Sequence, residues 1–139
     1  MTDLFTKKVT IYNDIPADGV NPRTFERFVI DKCMIYNQAT ESADGTIRKV
    51  VNAQNVITKD VANYKAPMEY AKMAVDEREK FYTVQIDDFV VLAEVDDVVT
   101  SSREFQQLQE KYSKNGFSVT AVNATINGMP VDNIQITHA

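Results

Sequence analysis

A single cysteine, Cys33, and a single histidine, His138, limit the chemistry open to this chain. One cysteine excludes an internal disulfide framework and any multi-cysteine metal site. One histidine leaves a Ser–His–Asp triad or a two-histidine metal site without material. Tryptophan is absent, and glycine and proline number four each, so turns can be placed one by one. No apolar run approaches the ~18 residues of a membrane helix, and MTDLFTKKVTIYND has no apolar core of signal-peptide length. A soluble protein of a reducing compartment is expected. Positive charge is in deficit: 15 Lys and Arg against 20 Asp and Glu give a net charge of −5. A chain of that sign should not bind nucleic acid through its overall field.

What is present suffices for a globular fold. A length of 139 residues is one domain by the usual prior, expected to span 1–139. Folded surface for this mass is roughly 7,300 Å² against roughly 22,800 Å² unfolded, so about two-thirds of the surface can be buried.

Lys7–Tyr12 alternates polar and apolar residues with Val9 and Ile11 on one face, a strand pattern. Asn13–Arg23 is dense in turn formers. Thr24–Tyr36 is aromatic and β-branched and predicts a strand, kinked near Asp31-Lys32. Thr40–Thr46 is polar, and its Asp44-Gly45 suits a hairpin turn between that strand and the strand material of Ile47–Val51 and Gln54–Ile57. Ala66–Glu79 shows no clean helical stripe and is expected to be loop. In Thr83–Val95, Val84 and Ile86 alternate with polar neighbours, Asp87-Asp88 makes a turn, and Phe89–Ala93 reads as a strand buried on both faces.

Ser101–Asn115 is the one clear helix. Ser101 is its N-cap, Glu104 completes a capping box, and Phe105, Leu108 and Tyr112 form its core stripe. Gly116 follows as a residue able to take positive φ. Phe117–Val122 alternates again, Asn127-Gly128 turns, and Ile134–Thr137 is a last strand. The pattern is mainly β (α+β): a small β-barrel or sandwich with one packed helix near 102–115 and a long polar hairpin loop.

Few side chains invite chemistry. Asp87, Asp88, Glu94, Asp96 and Asp97 bracket a strand, so the two groups sit roughly 20 Å apart and share no ion; solvated strand ends are expected. Cys33 reads as a buried, inert thiol and His138 as a frayed terminal residue. Tyr12, Tyr36, Tyr64, Tyr70, Tyr82 and Phe81 read as core or subunit interface. A base-stacking role would need a basic groove, and Lys7, Lys8, Lys59 and Lys65 are scattered along the chain. No catalytic, metal or cofactor-binding residue is assigned and no cofactor is expected. A small enzyme would need a pocket around Asp87, Asp88 or Glu94. A nucleic-acid-binding barrel would need a local basic, aromatic face despite the acidic total.

KKVTIYND, QIDDFVVLAEVDD and SSREFQQLQEKYSKNGFSV together resemble the head–tail connector, or minor capsid, proteins of phages and prophages from Gram-positive bacteria. Arg27-Phe28-Val29-Ile30 stands for that family's second element and Asp88-Phe89-Val90-Val91 for its fourth, with Asp87 where many members have glycine. Within that family the chain looks most like a head-completion or stopper protein. The resemblance implies a small β-barrel whose extended loop reaches into the DNA channel, here Thr40, Glu41, Ser42, Asp44, Gly45, Thr46, Arg48 and Lys49. It implies a homo-oligomeric ring in the virion neck, assembled in the host cytoplasm. Portal or adaptor proteins, the tail terminator and passing double-stranded DNA, not tightly bound, would be its partners; no membrane would be. A tail terminator is the neighbouring alternative, and a second helix at Ala66–Lys80 would favour it.

Overall fold

Alternation in Lys7–Ile15 does produce a strand, β1, but both of its faces are covered from Val9 onward. Val9 and Ile11 enter one core and Tyr12 another. The computed structural model describes residues 5–17, 19, 22–44, 47–74, 76–125 and 132–138, with the backbone alone for 38–44 and 47–52.

The fold is mainly β, as expected. Strands β1, β2 (Thr24–Asp44), β3 (Ile47–Thr58), β4 (Phe89–Val91), β5 (Gly116–Ser118), β6 (Ala121–Thr125) and β7 (Asn133–His138) form one antiparallel sheet. Their order is β5-β4-β1-β2-β3-β7-β6. The sheet is a single open ladder, not two stacked layers. Its two end strands are nevertheless one stretch of chain: β5 on β4 and β6 on β7 are joined by Val119 and Thr120. Val119 N donates to Asp88 O at one edge, and Thr120 N to Thr137 O at the other. The sheet therefore curls around its inner face. There Val9, Ile11, Ile30, Cys33, Val56, Val90, Phe117, Val119, Ile134 and Ile136 share one core.

The helix α2 (Ser102–Lys111) covers the outer face of β1 and β4. Ser101 Oγ accepts from Glu104 N at 3.2 Å, while the Glu104 carboxylate accepts from Thr100 Oγ at 2.7 Å; the N-cap forms and the reciprocal half of the box does not. The helix stops four residues short of Asn115. Gly116 is not a positive-φ cap. It opens β5, where a Cβ would lie 2.7 Å from Val90 O and 2.9 Å from Phe89 Cζ, so close strand approach requires it.

Two other expectations change. The loop Ala66–Glu79 contains a short helix α1 (Pro67–Ala71) and leads into a 3₁₀ turn at Arg78–Lys80. Proline at the first turn favours the helix, and buried Tyr70 anchors it; one turn is too short to show a periodic stripe. Thr83–Ile86 forms no strand because side chains take its backbone groups. Asn13 Nδ2 donates to Thr83 O at 2.5 Å, Asp88 accepts from Gln85 N at 2.8 Å, and Ile86 is exposed. The polar hairpin forms as expected: it is the continuation of β2 and β3, paired from Cys33↔Thr58 out to Asp44↔Ile47.

The kink at Asp31-Lys32 is a β-bulge. Two residues, Asp31 and Lys32, oppose Lys8 between the pairs Val9↔Ile30 and Lys7↔Cys33, and Lys32 adopts φ +56°.

Candidate functional site

The outer halves of β2 and β3 form a two-stranded arm. β1 pairs with β2 only as far as Cys33, and β7 pairs with β3 only over Gln54–Thr58. From Gln38↔Ala53 to Asp44↔Ile47 each arm strand has only the other as a partner among the described residues. Seven residues at about 3.3 Å each make an arm about 20 Å long. Thr40, Glu41, Ser42 and Asp44 lie on its first strand and Arg48 and Lys49 on its second; Gly45 and Thr46 fall outside the described residues. Asp44 and Glu41 stand opposite Ile47 and Val50, and Ser42 opposite Lys49.

The arm grows from a rigid base. Gln135 Nε2 donates to Tyr36 Oη at 3.0 Å, and Thr137 Oγ to Asn55 Oδ1 at 2.8 Å. The helix stripe fixes the opposite side: Phe105 and Leu108 are buried, Phe105 stacks on Phe25 at 5.2 Å, and Tyr112 Oη donates to Asp97 Oδ1 at 2.6 Å.

The carboxylates do not behave as one group. Asp88 is not solvated: it is 1% exposed and accepts from Asn13 Nδ2 at 2.8 Å, Asp14 N at 3.0 Å and Gln85 N at 2.8 Å. Burial raises its pKa to about 6 against the opposing pull of those donors. Arg23 donates to the neighbouring Asp14 through Nε at 2.8 Å and Nη2 at 2.6 Å. Asp87 holds φ +76°, the backbone region glycine enters most easily. Asp97 is held below the usual carboxylate range by hydrogen bonds from Lys111 and Tyr112. Asp96 is exposed beside Arg27 at 3.4 Å, and Glu94 is exposed near Lys8 at 3.9 Å.

Cys33 is buried, and desolvation pushes its thiol up to about 11. His138 is not frayed: it pairs with Gln54 in β7, and its Nδ1 lies 2.7 Å from Ser118 O. Tyr12, Tyr70 and Tyr82 are buried, Tyr36, Tyr64 and Phe81 half-buried. Tyr12 Oη donates to Asp97 O at 2.8 Å. Nothing local in sequence marks Asp88 as buried, because its partners Asn13 and Asp14 sit on β1, far back in the chain. The adjacent Asp-Asp pair looked like any charged turn. Among the described residues no cluster of three or more His, Cys, Asp or Glu side chains is placed to hold a metal ion. No helix there is long and apolar enough to cross a membrane.

Residues 4–138 match the model of a family described only as a family of unknown function, DUF6751. The chain belongs to DUF6751. No curated protein and no solved structure matches it. The match runs from before β1 to the end of β7, so this DUF6751 chain carries arm, sheet and helix within one family unit.

Proposed function

We propose that this protein is a structural component of the tailed-phage neck. In this reading it is a head-completion, or stopper, protein that forms a homo-oligomeric ring between portal or adaptor and tail. It retains the packaged double-stranded DNA and presents the surface on which the tail docks. It acts in the virion after assembly in the host cytoplasm, and it needs no catalytic chemistry or cofactor.

The arm carries the reading. An isolated two-stranded ribbon is marginally stable in water, and its edges offer unpaired backbone groups. A chain that extends two strands about 20 Å past its sheet has built a device for contact with something else. The solvent-accessible surface is 8850 Å², above the roughly 7,300 Å² of a compact monomer of this mass. A net charge of −5 suits a ring through which DNA slides, since a basic lumen would hold phosphates by counterion release. A second reading, tail terminator, draws on α1, which adds a second helix beside the sheet; that helix has five residues and weighs little against the arm.

Quantitative mass spectrometry of purified particles tests the proposal. On the order of ten copies per particle fits one closed ring; hundreds, or absence, would refute it. Replacing 41–50 by Asn-Gly would close the arm early after the Thr40↔Val51 pair. Particles carrying that variant should lose DNA from otherwise complete heads. Full heads with tails of uncontrolled length would select the terminator instead.

A further inference from the structure

The strand that ends the sheet beside β7 is bare of charge. Residues 115–131 contain no Asp, Glu, Lys or Arg, in a chain that is 25% charged. β6 lies inside this stretch, and all of it but Val122 is exposed. It pairs with β7 along one edge, and among the described residues no strand lies along its other edge. Natural sheets guard such an edge with charge, proline or a bulge. β6 has no charged residue, no proline and an unbroken register. Depletion of charge is instead a mark of surface buried at the core of an interface.

The arm is the matching half. Among the described residues it offers two bare strand edges of its own, 38–44 and 47–53. Its length of about 20 Å fits the roughly 17 Å of a five-residue strand. Its charge also fits. Residues 38–53 hold two acids, Glu41 and Asp44, and two bases, Arg48 and Lys49, and so are neutral. Two copies that each carry −5 repel one another, and approach through a neutral arm and an uncharged strand keeps that repulsion low. Within one copy the two cannot meet. Ala121 lies level with Asn55 and Ala124 with Thr58, so β6 runs alongside the base of β3 and away from the arm.

We propose that an arm strand of one copy adds to the free edge of β6 in the next copy, extending its sheet through main-chain hydrogen bonds. The contact joins different surfaces of the two copies, and such contacts generate rings when the rotation closes. The inference rests on the ring reading above and deepens it by naming the surfaces that hold neighbouring copies together.

Cross-linking of the full chain at millimolar concentration provides the test. Cys33 is buried and stays out of the reaction. A double variant, Ser42→Cys with Asn123→Cys, is treated with a bis-maleimide of about 15 Å reach, which spans about three strand spacings. Products larger than dimers should form, and mass spectrometry of the linked peptides should join position 42 to position 123. Links between like positions only would overturn the inference, and 123 to 123 would assign β6 to a two-fold edge pairing. No links at all would overturn it too. The chain with 41–50 replaced by Asn-Gly keeps β6 whole and should sediment as a monomer where the wild type forms larger species; equal sedimentation of the two would overturn the arm's part. Both readouts use the isolated chain, whereas the neck assignment is decided by copy number in particles, so failure of one is distinguishable from failure of the other.

Discussion

Acid should stabilise this protein through Asp88 before it harms it elsewhere. The folded carboxyl holds its proton up to about pH 6, against 3.8 for an ordinary one. Folding therefore takes up a proton between those values, and the stability this group contributes rises as pH falls from 7 and is complete below about 4. A difference of about two pH units corresponds to about 3 kcal/mol as an upper limit, a large share of the roughly 7–20 kcal/mol expected for a chain of this length. Asp97 has the opposite sign, but its pKa is lowered, so its loss falls below the window. Urea unfolding of the wild type and of Asp88→Asn at pH 7.0, 6.0, 5.0 and 4.5 isolates the effect, because every other group cancels in the difference. The wild type should gain on the variant by up to about 2 kcal/mol across that range, the rest of the effect lying below pH 4.5. A difference that stays flat, or that moves toward the variant in acid, would refute the account of Asp88 as a desolvated carboxylate.

Phe105→Ala should cost about 3–5 kcal/mol in the same assay, because the ring is buried on Phe25 between helix and sheet; a loss below about 1 kcal/mol would mean that α2 is not docked there. Gly116→Ala should cost about 1–3 kcal/mol, since the added Cβ meets the Val90 carbonyl oxygen at 2.7 Å, and an unchanged urea midpoint would contradict the β4–β5 pairing. At Asp87, with φ +76°, glycine should be more stable than alanine by about 1 kcal/mol, and equal melting of the two variants would count against the left-handed turn. Cys33 should resist a thiol reagent at pH 8 until the chain unfolds, because its thiol is buried and its pKa stands near 11; rapid labelling of the native protein would contradict that burial.

Much of the architecture was legible because local pattern and tertiary outcome agree. Val9 and Ile11, the Phe89–Val91 run and the Ser101 cap all announce what they become. The kink at Asp31-Lys32 was visible as two charges inside an apolar strand. What stayed hidden depended on partners distant in sequence. Thr83–Ile86 has strand composition, but the Asn13 amide and the Asp88 carboxylate took the groups a ladder would need. Gly116 looked like a helix cap because nothing local reveals Phe89 and Val90 pressing on it. His138 looked frayed because its strand partner, Gln54, lies far back in the chain. The arm was half legible: its polar turn marked a hairpin, while its reach past the sheet depends on where β1 and β7 stop pairing.

The curl of the sheet also dictates an order of events during synthesis. β1, β2 and β3 can pair as soon as they emerge, but β1 must wait for β4, where Ile11 meets Val90, and β3 for β7, where Gln54 meets His138. Until β4 and β7 arrive to pair with β1 and β3, the nascent three-stranded meander has two bare edges. Pairings this distant in sequence slow folding, and unpaired strand edges on a chain still being made invite association with the wrong neighbour. A chain whose β3 edge is covered only by a strand this late in sequence is most exposed to premature self-association before β7 leaves the ribosome.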